Sequence, residues 1–267
     1  MEKGEGYFVG AVQRALNIVE FLAARPGLEA SLAEIAAGLE LPKPTVHRLL
    51  ANLEAFRLVA PGPGAGTYRL GLRLLELGNA VADELHVARV ARTHLVRLRD
   101  DTGETTHLAM LDGENVLYLD RVECDRAVRM VSPVGARLPA HCTALGKAML
   151  ASFDDAELAS RFKGRKLARL TDRSVTDYAD LISRLAHVRS SGYAVDDEEV
   201  EPGLRCIGAA VHDRSGAVVA AVSLSAPVDR LPHHLVEDVA RRVRRAADDV
   251  SGELGWQPRR TRARAAR

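Results

Sequence analysis

The sequence predicts an α+β protein in two parts: a small amino-terminal helix-turn-helix unit with a wing, and a larger domain of antiparallel strands and helices. Apolar residues recur at helical spacing up to Phe56, then give way to two short strand-like runs around the glycine-rich stretch Pro61–Gly66. A long helical pattern follows over residues 72–101. Beyond Gly103 the order is strands, then helices, then strands again, which is not the alternation of a parallel βαβ series. The 267 residues, 47% hydrophobic and 27% charged, suit an ordinary globular chain whose two domains each bury their own core.

In the first unit, Val12, Ala15, Leu16, Val19 and Phe21–Leu22 predict a helix over residues 12–23 that ends near Arg25-Pro26-Gly27. Ser31-Leu32-Ala33-Glu34 reads as a capping box, with the Ser31 hydroxyl and the Glu34 carboxylate each taking the other's backbone amide. The short helix it starts runs through Ala37, with Gly38 as its left-handed stop. A third helix runs from Pro44 to about Phe56. Leu58–Ala60 and Thr67–Leu70 are the wing strands.

After the 72–101 helix, with a candidate interruption near Gly78, strands are expected over residues 105–111, 115–121 and 127–132. Gly135 and Pro139 break the chain before helices at 143–151, 154–162 and 177–190. Strands return at 194–196, 206–212 and 217–225, with a turn at Arg214-Ser215-Gly216, and a last helix spans 231–254. The expected domains are thus 8–71 for DNA binding, 72–101 as linker helix, 102–255 for the second domain, and 256–267 as a disordered Arg-rich tail.

Three cysteines, Cys124, Cys142 and Cys206, are odd in number and form no CxxC pair, which argues against a disulfide framework and a structural zinc site and fits a reducing cytoplasm. Residues 1–10 show no signal-peptide pattern and no window is apolar enough to span a membrane, so no membrane partner is expected. Charge is uneven. Eight Lys+Arg balance eight Asp+Glu over residues 1–80, the middle is acidic, and residues 256–267 hold five arginines and no acid. Bulk charge therefore does not mark a nucleic-acid binder, and such a reading must rest on local arrangement.

That arrangement is on the third helix. Val46, Leu49, Leu50 and Leu53 share one face and must pack on Leu32, Ile35 and Ala36. Geometry then places Thr45, Arg48 and Asn52 along an exposed stripe, with His47 beside it, Lys43 and Pro44 at its start, and no acid up to Leu53. Arg pairs bidentately with guanine, Asn with adenine, and a Thr methyl packs on thymine, so the stripe holds the chemistry of major-groove readout. A wing carrying Tyr68 and Arg69 completes a DNA-binding module whose partner is a double-stranded operator. Because phosphate neutralisation drives affinity, a neutral module points to a homodimer that doubles the contacts.

Together with Val12–Ile18, Leu41–Leu50, Tyr68–Gly71, Leu74–Gly78, Thr102–Thr105, His107–Ala109, Tyr118–Val122, Pro139–Ala148, Gly192–Glu199 and Gly203–Cys206, these motifs make the sequence resemble the IclR family of bacterial transcriptional regulators from about Gly10 to Gly255. The resemblance implies a winged helix-turn-helix, a GAF-like effector-binding domain, and dimers or dimers of dimers on palindromic operators. It further implies a small-molecule effector, often an organic acid, through which family members either repress or activate a catabolic or metabolic operon; the output expected here is repression, with no cofactor. Carried over by motif, the effector's polar contacts fall on Asp196, Cys206, Ser223, Ser225 and the amides near Ala144 and Leu145. The apolar wall falls on Ala127, Met130 and Leu138, with Leu204 nearby.

The residues themselves allow this without requiring it. The turn His141–Thr143 opens a helix whose free amides attract a carboxylate, and Ser223 and Ser225 alternate onto one strand face. Asp196 is an odd contact for an acid unless it meets a hydroxyl, an amine or a cation. Three alternatives stay open: a Cys142 nucleophile with His141 and Asp196, a metal site from Cys142, Cys206, His141 and Asp196, and a sensor acting through protein contacts alone.

Overall fold

The structure, a computed structural model, describes residues 9–84, 86–126 and 133–257. The chain divides into two compact units, Met1–Leu85 and His86–Arg267. The first contains α1 (Gly10–Ala23), β1 (Glu29–Ser31), α2 (Leu32–Gly38), α3 (Lys43–Ala55), β2 (Val59–Pro61), β3 (Thr67–Leu70) and α4 (Arg73–Glu84). The strands form an antiparallel sheet in the order β1-β3-β2. Its core is Ile18 and Leu22 of α1, Ile35 and Ala36 of α2, Val46, Leu50 and Leu53 of α3, and Val59. The helical spacing of these apolar positions is what lets three short helices share one core.

Both halves of the capping box form: the Glu34 amide donates to the Ser31 hydroxyl at 3.2 Å, and the Ser31 amide donates to the Glu34 carboxylate at 2.8 Å. Gly38 has another role than the expected one. The left-handed residue after α2 is Glu40, at φ 54°, whereas Gly38 is the last helical residue and its missing side chain makes room for the Phe21 ring, which a Cβ would meet at 2.2 Å. The buried face of α1 is also displaced, since Ile18 and Leu22 are buried while Val12 and Leu16 are exposed. β1 was not expected; three residues joined to the wing by register alone give no periodic signal.

The second unit contains α5 (His86–Thr102), β4 (Thr105–Asp112), β5 (Asn115–Val122), β6 (Arg137–Pro139), α6 (Ala144–Leu150), α7 (Asp155–Phe162), α8 (Tyr178–Ser191), β7 (Ala194–Asp197), β8 (Leu204–His212), β9 (Val218–Pro227) and α9 (Val236–Glu253). Its six strands are antiparallel in the order β6-β5-β4-β9-β8-β7. On one face Leu108, Ile207, Val222 and Leu224 pack with Leu95 of α5 and Val243 and Val250 of α9. On the other, Ala109, Tyr118 and Ala221 pack with Leu145 and Met149 of α6 and Leu181 and Leu185 of α8. With both faces covered, the central strands β8 and β9 are buried over most of their length and read as nearly unbroken apolar or small-residue runs.

The long helical pattern resolves into α4 and α5 on either side of Leu85, which lies outside the described residues, and Gly78 lies within α4. The last helix starts later than expected because Pro232 precedes a 3-10 turn, His233–Leu235. The strand expected over 127–132, and residues 258–267 of the tail, lie outside the described residues. No described helix is long and apolar enough to cross a membrane.

Candidate functional site

On α3, Lys43, Pro44, His47, Arg48 and Asn52 are exposed and Thr45 is half-buried. Val46, Leu50 and Leu53 anchor the opposite face in the core, so the polar stripe is turned outward by packing. The Asn52 side-chain amide donates to the Arg48 carbonyl at 2.7 Å, a bond that must open before Asn52 can pair with a base. Arg69 stands apart from this stripe. It opposes Glu29 on β1 and Ala60 on β2, and it shares a cleft of about 740 Å³ with Glu54 and Arg57 near the far end of α3.

The second site is built by register. β7, β8, β9 and β4 align Asp196, Cys206, Ser225 and Thr105 in one row across the sheet. Two residues along each strand, Ala194, Gly208, Ser223 and His107 form the next row. Side chains two apart on a strand share a face, and Ala194 packs with Ala109 and Ala221 in the α6 cluster, so both rows face α6. The start of α6 comes down onto them, and Ala144, Leu204 and Cys206 pack together. Two glycines permit this approach. A Cβ on Gly208 would lie 2.8 Å from the Ala144 carbonyl and 3.0 Å from the Leu145 nitrogen, and one on Gly146 would lie 2.1 Å from the Ala140 oxygen.

Thr143 caps α6 by accepting from the Gly146 amide at 2.9 Å, and the Lys147 amide donates to the Thr143 carbonyl. The amides of Ala144 and Leu145 have no partner among the described residues. Leu138 lies on β6, at the sheet's other edge, and packs against the cluster that contains Leu145. Ala127 and Met130 lie outside the described residues. The structure thus brings Asp196, Cys206, Ser223, Ser225, Leu204, Ala144 and Leu145 together.

Two groups that local pattern did not single out stand beside them. Lys147, fully buried in an otherwise apolar helix, is paired with the equally buried Glu199, which Arg184 also reaches at 3.3 Å. Asp196 Oδ1 accepts from the amides of Glu199 at 2.8 Å and Val200 at 3.4 Å. Burial pushes its carboxyl up to about 7 against the pull of Lys147, with Glu199 adding to the rise. His107 is the other: fully buried, it meets the Tyr118 ring edge-on at 5.4 Å. A lone charge among small residues in Ala144–Leu150 and a His alternating with Thr105 on a buried strand were the available signals.

The nucleophile and metal alternatives lose their geometry. His141 Nε2 and the Cys142 sulfur are both directed at the Ala168 carbonyl, at 3.0 and 3.7 Å, while the Cys206 sulfur lies 3.1 Å from the Ser225 hydroxyl. Burial raises the Cys142 thiol to about 11, and only the thiolate is nucleophilic. Among the described residues no group of His, Cys, Asp and Glu is placed to hold a metal.

A helix-turn-helix unit joined to a sheet domain with a buried polar row defines a transcriptional regulator with a DNA-binding domain. Residues 11–63 match the IclR helix-turn-helix domain, and residues 79–252 match the bacterial transcriptional regulator IclR C-terminal domain. The chain is 35% identical over 248 residues to the HTH-type transcriptional repressor AllR of Salmonella typhimurium, covering 93% of this chain and 91% of that one. The Thermotoga maritima IclR structure superposes with a TM-score of 0.79 at 30% identity, covering 93% of this chain and all of that one. An IclR homologue from Microbacterium hydrocarbonoxydans, solved in complex with 4-hydroxybenzoate, gives 0.79 at 27% identity, over 91% of this chain and 98% of that one. The chain belongs to the IclR family of bacterial transcriptional regulators, and it is a regulator, not an enzyme.

Proposed function

We propose that this protein is a cytoplasmic repressor that binds a pseudo-palindromic operator as a dimer or dimer of dimers and is controlled by a small carboxylic acid held between the start of α6 and the sheet. The observation that carries the effector reading is the convergence of Asp196, Cys206, Ser223 and Ser225, by strand register, beneath the unpartnered amides of Ala144 and Leu145. Helix-start amides are suited to a carboxylate, and hydroxyls and a thiol can orient it. The homologue that binds 4-hydroxybenzoate supports an acid of this class. Residues 8–71 form the DNA-binding domain, 72–101 the linker and 102–255 the effector domain.

On the DNA side, Arg48 and Asn52 read bases, Thr45 and His47 flank them, and Lys43 with the helix start at Pro44 holds phosphate. Arg69, exposed on β3 of the wing, adds a further contact to the DNA. Recovering and sequencing the genomic fragments that the purified protein retains at about physiological salt tests the reading. A shared pseudo-palindrome is expected, released by members of a carboxylic-acid panel that includes 4-hydroxybenzoate. On that operator, Arg48→Ala relaxes specificity at one base pair per half-site, at a cost of ~1–3 kcal/mol, whereas Lys43→Ala weakens all sequences and flattens the salt dependence. Unspecific retention of DNA, unaffected by any acid, would overturn the proposal.

A further inference from the structure

A separate cleft lies at the far end of β8. β7 pairs with β8 only as far as Gly208, so from Ala209 to His212 the outer edge of β8 meets no strand among the described residues. A cleft of about 330 Å³ opens there, between the ends of α6 and α8 and the helix α9. His212 is six residues along β8 from Cys206, about 20 Å at ~3.3 Å per residue, so this cleft is distinct from the face beneath the start of α6. Ala148, Ala151 and Val188 give it apolar walls. Of its polar side chains, Ser152 and Arg189 already donate to backbone carbonyls.

Arg244, Asp248 and His212 are not engaged in this way. Arg244 and Asp248 stand one turn apart on α9, a spacing at which opposite charges can pair, yet neither makes a hydrogen bond or ion pair with a described residue. The Arg244 guanidinium lies instead against the backbone of Gly192, where a Cβ would come within 3.0 Å of its Nε. Desolvation pushes the Asp248 carboxyl up, with Arg244 pulling the other way, so its carboxylate gains from a cation brought to it. The His212 ring is fixed by stacking on Trp256, with centroids 4.8 Å apart, and neither of its nitrogens hydrogen-bonds a described residue. Burial lowers its affinity for a proton, against Asp248 and Asp213, and the neutral imidazole can give or take one hydrogen bond.

We propose that this cleft is a second small-molecule site, for the zwitterion of an aliphatic α-amino acid, with the carboxylate on Arg244, the ammonium on Asp248 and the side chain against Ala148, Ala151 and Val188. A plain acid would be repelled by Asp248 and a plain amine by Arg244, whereas a carboxylate and an ammonium on one carbon satisfy both. The spacing fits, since four residues of helix advance ~6 Å. At roughly 30 Å³ for each water-sized group, the cleft holds about ten non-hydrogen atoms, enough for valine or leucine. The inference does not depend on the acid-effector reading.

The test uses the full-length protein and compares each amino acid with the two molecules that lack one of its charges: leucine with 4-methylpentanoate and 3-methylbutylamine, and valine with 3-methylbutanoate and 2-methylpropylamine. Affinities are read from the emission of Trp256, the chain's only tryptophan, which stacks on a wall of this cleft and so reports on it rather than on the face beneath α6. At least one amino acid should change that emission saturably and bind ~10-fold or more tightly than both of its partners. Arg244→Met and Asp248→Asn should each weaken it by ~10-fold or more, with thermal unfolding as the control for folding; should one variant fail to fold, the other decides. No saturable change with either amino acid, no preference over the singly charged partners, or amino-acid binding that a folded variant leaves unchanged overturns the inference. Each of those results leaves the acid-effector reading standing, because that reading is tested by release of the operator.

Discussion

Replacing Asp196 by Asn asks whether burial or the neighbouring ammonium decides the charge of this carboxyl. Burial raises it, the positive charge of Lys147 opposes the rise and the negative charge of Glu199 adds to it, which takes the group from 3.8 to about 7. The folded protein then holds this proton more tightly than the unfolded chain does. Linkage fixes the sign: the stability tied to the proton is complete below about pH 4, is lost as the pH rises through about 7, and changes no further above. The gap between 3.8 and about 7 sets a ceiling on the order of 4 kcal/mol, at ~1.4 kcal/mol for each tenfold change in proton affinity. Asn keeps the Oδ1 acceptor for the Glu199 and Val200 amides and has nothing to titrate. Urea denaturation at several pH values between about 5 and 9 can be followed by the fluorescence of Trp256. It is the sequence's single tryptophan, and it stacks on His212 in the same unit as Asp196. The stability of the wild type relative to Asp196→Asn should fall from pH 5 to 7 and level off by about 8. A difference that is flat or rises over that range would show Asp196 ionised in the folded state, with Lys147 outweighing burial, and the reasoning would be wrong.

Lys147→Met removes one partner of a buried pair and leaves Glu199 with only the partly exposed Arg184, so it should destabilise by ~3 kcal/mol in the same urea assay. A loss under about 1 kcal/mol would mean that the contact with Arg184 alone suffices for Glu199. Gly208→Ala sets a methyl against the backbone of Ala144 and Leu145, and the helix start must move off the sheet. Operator binding should persist while the response to acids drops; an unchanged response would separate the α6 amides from ligand binding. Ser31→Ala removes one bond of the capping box and should lower the stability of the first unit by ~1 kcal/mol, read from far-ultraviolet circular dichroism on heating.

What was legible in the sequence is what short range determines. The capping box lies within four residues, the recognition stripe follows from where Val46, Leu50 and Leu53 must point, and Ser223 and Ser225 share a face because strands alternate. The alternation of strands and helices likewise sufficed for the α+β class. What was not legible depends on partners distant in the chain. Gly38 looks like a helix stop until the Phe21 ring is found against it, and Val12 and Leu16 fit a helical period yet stay exposed because the core meets α1 at Ile18 and Leu22. His107 on its own is a histidine in an apolar strand. Only the fold shows that both its imidazole nitrogens are buried without a partner among the described residues, in register with Ser223 more than a hundred residues later.

The same long-range packing resolves the apparent misfit of an acidic residue in a site for acids. In sequence, Asp196 begins an acidic run and should repel a carboxylate. In the structure it shares a buried cluster with one ammonium, Lys147, and one further carboxylate, Glu199, which the partly exposed Arg184 also reaches. Burial, helped by the Glu199 charge, outweighs the pull of Lys147, and the carboxyl holds its proton up to about pH 7. In its protonated form the carboxyl next to Cys206 and Ser225 is a hydrogen-bond donor, which removes the repulsion that the proposed acid effector would otherwise meet. On the proposed acid-effector reading, Glu199 acts on the site through Asp196: without it, the Lys147 charge would pull the Asp196 carboxyl toward ionisation, and a hydrogen-bond donor would become an acceptor.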